Sequence, residues 1–533
     1  MPQGATALAT RPQPAQTGPG MPVAPLHGPW ANPSIFGHRW PGPALPPAPA
    51  AISALLIAGV MAALSIPLDR AGIGWLITAI AGVAALTAAR MAPHRISPTA
   101  PKPLVTRTRN TLTRARFGWS AATVALLGVG TFRSAGWLFV LCLLTAILTG
   151  ALAVAGGRSL RSMSVATIMT PLAGFRALNW IRRGLATAGR AGGSGLRITA
   201  TVAVSLVLLL VFGSLFASAD AAFADLIEAA VPDISAITIV RWIFVFLLTT
   251  FILGGAAFLR AAPPNLDGLD SPGKRRVARL EWAVPLTLLV LLFAMFVAVQ
   301  LTVLFGDSKH VLDTDGLTYA EYARSGFWQL LVVTGLTLVV LAGAARWAPR
   351  GTSTDRLLIR GILGLLAALT LVIVASAIHR MDLYADTYGL TRLRVLVAVC
   401  ELWLGLTFVL ILIAGIRLKA AWLPRAVVAL GVLSLLSLAV ANPDHLIADR
   451  NITRFEQTGR IDRSYLSDLS PDAVPALTRL KGDDRTCTLI PIARDLADNT
   501  DDWRAWNLGR HQAREALKAN PPYPTRPCLD LYR

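Results

Sequence analysis

The sequence predicts an all-α, polytopic membrane protein with about eleven transmembrane helices and a small helical C-terminal extracytoplasmic domain. Apolar residues make up 54% of the 533-residue chain, and charged residues only 15%. About a quarter of the residues in an ordinary soluble protein are charged. The mean hydropathy of +0.56 agrees with this imbalance. The composition therefore argues against a soluble enzyme, a disordered protein and a disulfide scaffold.

The sequence contains eleven runs of mostly apolar residues. Each is close to the length of roughly 20 residues that a helix needs to cross a bilayer. Backbone groups find no water partner in lipid, so these runs should be helices and not open strands. The runs lie near 51–68, 71–89, 117–132, 134–156, 197–216, 236–258, 281–305, 327–345, 357–378, 395–416 and 422–441.

Along the chain, loops rich in basic residues alternate with loops that have few. Counted by loop, 28 Lys and Arg residues lie on one side of the expected membrane and eight on the other. Short cytoplasmic loops carry such an excess, which places the N-terminus inside and the C-terminus outside. The last segment, 442–533, has 14 basic and 14 acidic residues, so the net charge of +20 belongs to the membrane part. No basic soluble face remains to indicate nucleic-acid binding.

The chain divides into three predicted parts. Residues 1–50 hold 13 of the 34 prolines and are expected to form a disordered cytoplasmic tail. Residues 51–441 form the transmembrane domain, and 442–533 form the extracytoplasmic helical domain. In that domain Ser470 and Pro471 indicate one helix start, and Asp501 and Asp502 indicate another. Outside the cytoplasm, Cys487 and Cys528 are expected to form a disulfide.

The loop between the fourth and fifth runs contains an amphipathic pattern. Phe175, Leu178, Ile181 and Leu185 recur at helical spacing, while Arg182 lies at the edge of this stripe. Arg176 and Arg183 project to the opposite side. Such a segment lies in the membrane interface against anionic lipid, or it is an ordinary amphipathic connector.

Ionisable residues lie well inside two of the expected spans. Arg241 and Glu401 each lie roughly 7–10 Å below the outer boundary, at a depth where they could pair. One interpretation is a charged element of a substrate or proton path. The other is a structural ion pair, or an arginine that reaches the interface.

The outer loops carry the remaining polar groups. In the loop before the eighth run, Thr318 and Glu321 fit a capping box, which leaves Arg324 free to bind a carboxylate or phosphate. His379, Asp382 and Asp386 share one helical face. We expect the polar groups of 379–394, together with those of 442–455 after the last run, to form a salt-bridge network that docks the C-terminal domain onto the outer loops, or a ligand site. The candidate ligand- or partner-binding residues are Arg324, His379, Arg380, Asp382, Asp386, Arg392 and His445.

No tight histidine pair supports a zinc site, so neither a metal nor another cofactor is predicted. The chain also lacks a nucleophile motif, a phosphate-binding glycine loop and a kinase signature. A binding role is therefore favoured over catalysis. The sequence leaves the oligomeric state open.

Several separated segments resemble a family of bacterial multi-pass membrane proteins, known only as a domain of unknown function and common in actinobacteria and firmicutes. The segments are 218–223, 318–324, 388–392, 442–455, Tyr465-Leu466 and 472–477. The resemblance covers roughly residues 190–520. It implies a bacterial plasma membrane, but no activity, substrate or catalytic residue.

The sequence is compatible with three functions. The first is binding of a ligand or protein partner on the extracytoplasmic face, where the polar motifs cluster. The second is a secondary transporter, proton-coupled through Glu401, Arg241 and His379, although no internal repeat supports it. The third is an enzyme that acts on a lipid-linked substrate at the outer leaflet, with Asp382 or Asp386 as the base.

Overall fold

The apolar runs form long helices that extend into the polar residues on either side. The computed structural model describes residues 40, 42–91, 106–157, 159–190, 194–220, 223, 225, 236–264, 277–305, 327–349, 351–418, 420–522 and 528. All regular secondary structure in these ranges is helical. The helices before residue 442 are α1 Pro49–Ser65, α2 Ile73–Met91, α3 Thr106–Phe132, α4 Gly136–Ala155, α5 Leu160–Arg190, α6 Ser194–Ala219, α7 Ala236–Ala261, α8 Arg279–Phe305, α9 Phe327–Trp347, α10 Ser353–Tyr388, α11 Arg392–Arg417 and α12 Leu423–Ala441.

Residues 442–533, called the tail below, contain shorter helices. These are α13 Pro443–Thr458, α14 Arg463–Ser467, α15 Val474–Leu477, α16 Gly482–Asp498 and α17 Leu508–Ala519. A 3-10 turn at Pro471–Ala473 leads into α15. The helix start expected at Ser470 is therefore a 3-10 turn, and the Ser470 side chain makes no capping hydrogen bond.

Seven helices among the described residues are long and apolar enough to cross a membrane, so the chain is a multi-pass membrane protein. They are α4, α7, α8, α9, α10, α11 and α12. The other four expected spans correspond to α1, α2, the second half of α3 and α6. The 17 residues of α1 extend only about 26 Å, and α3 begins with a basic segment. The total of about eleven spans therefore stays a prediction.

Successive helices place their ends alternately on two sides of the molecule. α4 begins beside Asp472 of the tail, which accepts hydrogen bonds from the Ser134 and Ala135 amides. α4 ends near Gly157, whose carbonyl accepts a hydrogen bond from Arg425 at the start of α12. α12 then returns to the side that carries the tail. We call this the tail side, and the other the far side.

The helices pack as two groups joined by α12. In the first group, α1 packs on α2, α3 on α4, and α5 on α7. The second group consists of α8 to α11. α12 contacts α3 and α4 of the first group and α11 of the second. One apolar core joins Leu126 and Leu138 of the first group to Ile447, Leu466 and Leu489 of the tail.

The packed part of the chain begins before residue 51, although the expected disordered segment was 1–50. Residues 1–39 and 41 lie outside the described residues. Trp40, however, is buried against Phe258 of α7. Its carbonyl accepts a hydrogen bond from Arg176 at 2.8 Å, and Trp180 donates to the Leu45 carbonyl at 2.8 Å. The segment that precedes α1 therefore fixes the position of α5.

Candidate functional site

Asp444 in the first turn of α13 connects the tail to two membrane helices. Its side chain is fully buried. Arg392 donates to both carboxylate oxygens, at 3.1 and 2.6 Å, Trp137 of α4 donates its indole N–H at 3.1 Å, and the Ser470 amide donates at 2.9 Å. Burial alone would raise the pKa of Asp444, but Arg392 and Ser470 outweigh it and hold the pKa below its ordinary value. The carboxylate is therefore an ionised link between α4, α11 and the tail.

Arg392 at the start of α11 takes part in this docking through its side chain and its backbone. Its guanidinium binds Asp444 and also donates to the Asp468 carbonyl at 3.1 Å. Its backbone amide donates to the Tyr465 hydroxyl at 2.6 Å. Burial raises the pKa of the Tyr465 phenol. The structure thus uses Arg392 in tail docking, which is one of the two roles that the sequence allowed.

Asp472 makes a second link, at the beginning of α4. Its Oδ2 atom accepts from the Ser134 amide at 2.8 Å and the Ala135 amide at 3.1 Å. The Asp472 amide donates in return to the Ser134 hydroxyl at 3.1 Å. Ala135 is the N-cap residue of α4 and has no side-chain cap of its own. Burial raises the pKa of Asp472, and the amide bonds oppose that rise. The tail therefore supplies the missing cap of α4.

Backbone carbonyls of the tail perform the same task for α2. The Ile73 amide donates to the Trp506 carbonyl and the Gly74 amide to the Arg504 carbonyl, both at 3.0 Å. The two segments approach so closely that a Cβ atom on Gly72 would lie 2.6 Å from the Ala505 backbone. Glycine is therefore required where the tail meets the turn between α1 and α2.

Arg510 of α17 holds the same region from within the tail. The Arg510 side chain is buried, donates to the Asp501 carboxylate at 2.9 Å and donates to the Ala71 carbonyl at 2.8 Å. Asp501 also forms an ion pair with Arg70 at 3.5 Å. Asp501 was expected to begin a helix, but α17 begins at Leu508 with Asn507 as its cap. Asp501 instead neutralises arginines that converge on the tail.

The last turns of α10 present a different kind of surface. α10 has 36 residues and extends about 54 Å, which exceeds the roughly 30 Å hydrocarbon core. His379, Asp382 and Asp386 lie on one exposed face near its tail-side end. Their side chains make no hydrogen bond or ion pair with any residue that the structure describes. Among all the residues that the structure describes, no group of three or more His, Cys, Asp and Glu residues is placed to hold a metal ion.

Neighbouring residues of this segment are used in packing. Arg380 donates to the Gln300 side-chain oxygen of α8 at 2.8 Å. The rings of Tyr384 and Tyr388 lie 4.9 Å apart, and the Arg394 guanidinium lies 4.3 Å from the Tyr384 ring centre. These contacts fix the end of α10 against α8 and α11.

The other expected site residues lie elsewhere. Arg324 is outside the described residues. His445 is half-buried on α13, next to Asp444. Cys487 and Cys528 are joined by a disulfide with their Cα atoms 5.5 Å apart.

Arg241 and Glu401 do not meet. Glu401 is fully buried on α11, and neither of its carboxylate oxygens has a hydrogen-bond partner within the described part of the chain. The Nε and one Nη atom of Arg241 on α7 are buried without such a partner as well. The two helices belong to different groups, since α7 packs on α1 and α5 whereas α11 packs on α10 and α12. The expected ion pair is therefore not formed in this structure.

Sequence reasoning did not single out Asp444 within the 442–455 stretch and missed the docking role of Asp472, although a signal was present. The segments Asn442-Pro443-Asp444 and Ser470-Pro471-Asp472 share one pattern, a polar residue followed by Pro and Asp. In both, Pro lies in the first turn and Asp follows it, buried. A buried carboxylate needs donors, so the repeated pattern marks two contact points of the tail.

Comparison with known proteins identifies a family for this chain. A model of the domain of unknown function DUF4153 matches residues 121–480, which begins and ends earlier than the range expected from the resemblance. No curated protein and no solved structure matches the chain. Because the family match covers about two thirds of the sequence, the protein belongs to the family of the domain of unknown function DUF4153.

Proposed function

We propose that this protein is a bacterial plasma-membrane protein that binds a ligand or a protein partner on its extracytoplasmic face. In this proposal about eleven helices cross the bilayer, the N-terminus is cytoplasmic and the tail is extracytoplasmic. The alternation of helix ends and the excess of basic residues in the far-side loops support this orientation.

One observation supports the binding role best. His379, Asp382 and Asp386 form an exposed polar face on α10, and their side chains are bonded to no described residue. The other polar groups nearby, Arg392 and Arg380, are already used in internal contacts. Loops and helix ends held by a rigid scaffold are common positions for binding residues.

The orientation is tested with two variants that each add one cysteine, at opposite ends of α10, and that keep the Cys487–Cys528 disulfide. Asp382→Cys lies on the tail side and Thr354→Cys on the far side, and both positions are exposed. The background carries Cys142→Ser and Cys400→Ser. We expect a membrane-impermeant maleimide to label Asp382→Cys in intact cells, and to label Thr354→Cys only after lysis. The reverse pattern would place the tail in the cytoplasm.

The binding role is tested by replacing the gene with a triple variant, His379→Ala, Asp382→Ala and Asp386→Ala. We expect the triple variant to reproduce the growth phenotype of a deletion strain, while its amount in the membrane and its thermal midpoint stay those of the wild type. A matched control replaces two exposed tail carboxylates, Asp498 and Glu515, and should grow as the wild type. Full growth of the triple variant under every condition that distinguishes the deletion strain would refute the proposal.

A second candidate function is proton-coupled transport, supported by Glu401. A buried carboxylate without a hydrogen-bond partner in a span is costly, and such residues are often part of ion paths. In proteoliposomes that contain a pH-sensitive dye, we expect Glu401→Gln to abolish proton flux and the neighbouring Cys400→Ala to keep it. Equal flux in wild type and Glu401→Gln would exclude this function for Glu401.

A further inference from the structure

A groove between α5 and α7 lies in the first helix group and takes no part in the binding proposal. It has a volume of about 420 Å³, within the range of roughly 300–1,000 Å³ that ligand pockets usually have. Most of the side chains that line it are apolar, among them Leu178, Ile181, Leu247, Leu248 and Phe251, and Thr250 is the one polar residue among the described residues of the lining. Its lining therefore suits a hydrocarbon chain and offers almost no polar partner.

The groove arises where two helices cross at glycines. A Cβ atom on Gly255 of α7 would lie 2.7 Å from the backbone nitrogen of Gly174 on α5. The helices are therefore in close contact at this point, and the groove opens beside it. Phe175 and Phe251 pack edge to face beside the same crossing, with ring centres 4.9 Å apart.

Contacts from the segment before α1 hold α5 in place. The Arg176 guanidinium lies 4.5 Å from the Trp40 ring centre and donates to the Trp40 carbonyl. Trp180 donates to the Leu45 carbonyl. These contacts fix α5, which forms one wall of the groove, against the segment before α1.

The open side of the groove lies on the outer surface of the helix group, beside a membrane span. α7 is one of the helices long and apolar enough to cross the bilayer. Leu178 is 51% exposed and Leu247 is 53% exposed, and at hydrocarbon depth such surfaces are covered by lipid chains. The occupant is therefore expected to be part of the bilayer and not a solute from water.

Arg182 places a positive charge beside the groove. It lies one helical turn beyond Leu178 on the same side of α5. Its guanidinium is exposed and bonded to no residue that the structure describes. The 31 residues of α5 include five arginines and no acidic residue. A phosphate is the natural partner of such a guanidinium, because it accepts charge-assisted hydrogen bonds.

We propose that the α5–α7 groove binds one acyl chain of an anionic phospholipid, with the lipid phosphate on Arg182. The site is independent of the binding face on α10 and does not require that proposal. It would tie α5 to the membrane interface through one specific lipid, in addition to the general attraction of its arginines for an anionic surface.

Lipid retention by the full-length protein tests the proposal. The protein is reconstituted in nanodiscs of phosphatidylcholine with one tenth phosphatidylglycerol, extracted in mild detergent and examined by native mass spectrometry. We expect the wild type to retain phosphatidylglycerol in preference to phosphatidylcholine. Arg182→Gln should lower the binding of phosphatidylglycerol about fivefold, the change expected for loss of one basic residue at the membrane surface.

Two matched variants separate the site from general effects. Arg161→Gln removes an exposed arginine from the same helix, about 30 Å from Arg182, and should keep the wild-type lipid preference. Leu178→Trp narrows the groove at an exposed position, and should lower retention of both lipids. Leu288→Trp at an exposed position of α8 should lower neither.

Three results would overturn the proposal. The first is equal retention of the two lipids by the wild type. The second is equal loss of phosphatidylglycerol from Arg182→Gln and Arg161→Gln. The third is wild-type retention by Leu178→Trp. The thermal midpoint of each variant is measured alongside. Ile181→Val is a smaller change in the groove lining that keeps the fold, and it should keep the lipid preference.

Discussion

Asp444 is one residue through which the tail contacts two membrane helices. Its carboxylate accepts hydrogen bonds from α4, from α11 and from the tail itself. Because Arg392 is about one-third exposed while Asp444 is fully buried, loss of the carboxylate leaves a partly hydrated cation and not a buried one. Removing the Asp444 carboxylate therefore lowers the free energy of unfolding mainly through the loss of its charged hydrogen bonds.

Asp444→Ala is expected to destabilise the protein by about 1.5–3 kcal/mol, the range for hydrogen bonds to charged groups. The measurement is the free energy of unfolding of the tail, followed by protease resistance of the purified protein in denaturant. Asp449→Ala lies on the same helix, in a surface pair with Arg479, and should change stability by less than about 0.5 kcal/mol. Similar losses in both variants would mean that Asp444 has no special role.

The same residue gives the docking a dependence on pH. Burial alone would raise the pKa of Asp444. The hydrogen bonds and the positive charge of Arg392 lower this pKa by more, so in the folded protein it lies below the ordinary value. A carboxyl of this kind stabilises the fold above its unfolded pKa of about 3.9, and this stability is lost as pH falls through the folded value. The stability difference between wild type and Asp444→Asn should therefore begin to shrink as the pH falls below about 5, and continue to shrink below the unfolded pKa. A stability difference that stays constant over this pH range would contradict the prediction.

The docking residues show what the sequence could predict at this scale. Its outer loops indicated a salt-bridge network that docks the tail, with Arg392 and the segment after the last span as members. The partner of Arg392 was not predictable, because Asp444 lies 52 residues further along the chain and no local spacing joins the two. Helical periodicity identifies faces, whereas long-range pairing depends on the folded chain.

At the scale of helices, the tail supplies groups that several helix ends lack. The first amides of a helix have no partner within the helix and need an acceptor. α4 receives the Asp472 carboxylate, α2 receives two tail carbonyls, and α11 receives the Tyr465 hydroxyl. The tail is therefore a shared cap for three helices that begin on the same side.

Asp472→Ala should loosen the beginning of α4. Loss of the carboxylate removes the acceptor of the Ser134 and Ala135 amides, and loss of a helix cap costs about 0.5–2 kcal/mol. Hydrogen–deuterium exchange at the first turn of α4 should be faster by about 2- to 30-fold, the equivalent of that range. Asp468→Ala changes an exposed side chain in the same tail segment and should leave α4 unchanged. Unaltered exchange in Asp472→Ala would show that α4 does not depend on the tail.

Some helix features were visible in the sequence and others were not. The amphipathic stripe of α5 was predicted from its spacing, but its packing against α7 was not, because periodicity does not identify a partner. The capping box expected at Thr318 lies outside the described residues. One forms instead at Thr352 and Asp355, at the start of α10. Its signal was present in the sequence, because Thr352-Ser353-Thr354-Asp355 precedes an apolar run in the pattern of a capping box.

For the whole molecule, the charge pattern and the tail give the same separation into two sides. The described loops that contact the tail have few basic residues. The arginine-rich loops of the sequence join the opposite helix ends. Composition was sufficient for the membrane class, because seven of the described helices independently meet the length and hydropathy of a span. It was insufficient for the number of spans, because α1 has only 17 residues and α3 begins with a basic segment.

The disulfide between Cys487 and Cys528 makes this separation testable in living cells. Disulfides persist outside the cytoplasm and are reduced inside it, so an extracytoplasmic tail should contain an oxidised pair. Thiol alkylation of the denatured protein, taken from cells under acid quench, should modify only Cys142 and Cys400 without reductant, and all four cysteines after reduction. Cys528→Ser opens a 41-residue loop and should destabilise the tail by about 2–4 kcal/mol, measured by protease resistance, whereas Cys400→Ala should not. Modification of all four cysteines without reductant would place the tail on the cytoplasmic side and reverse the proposed orientation.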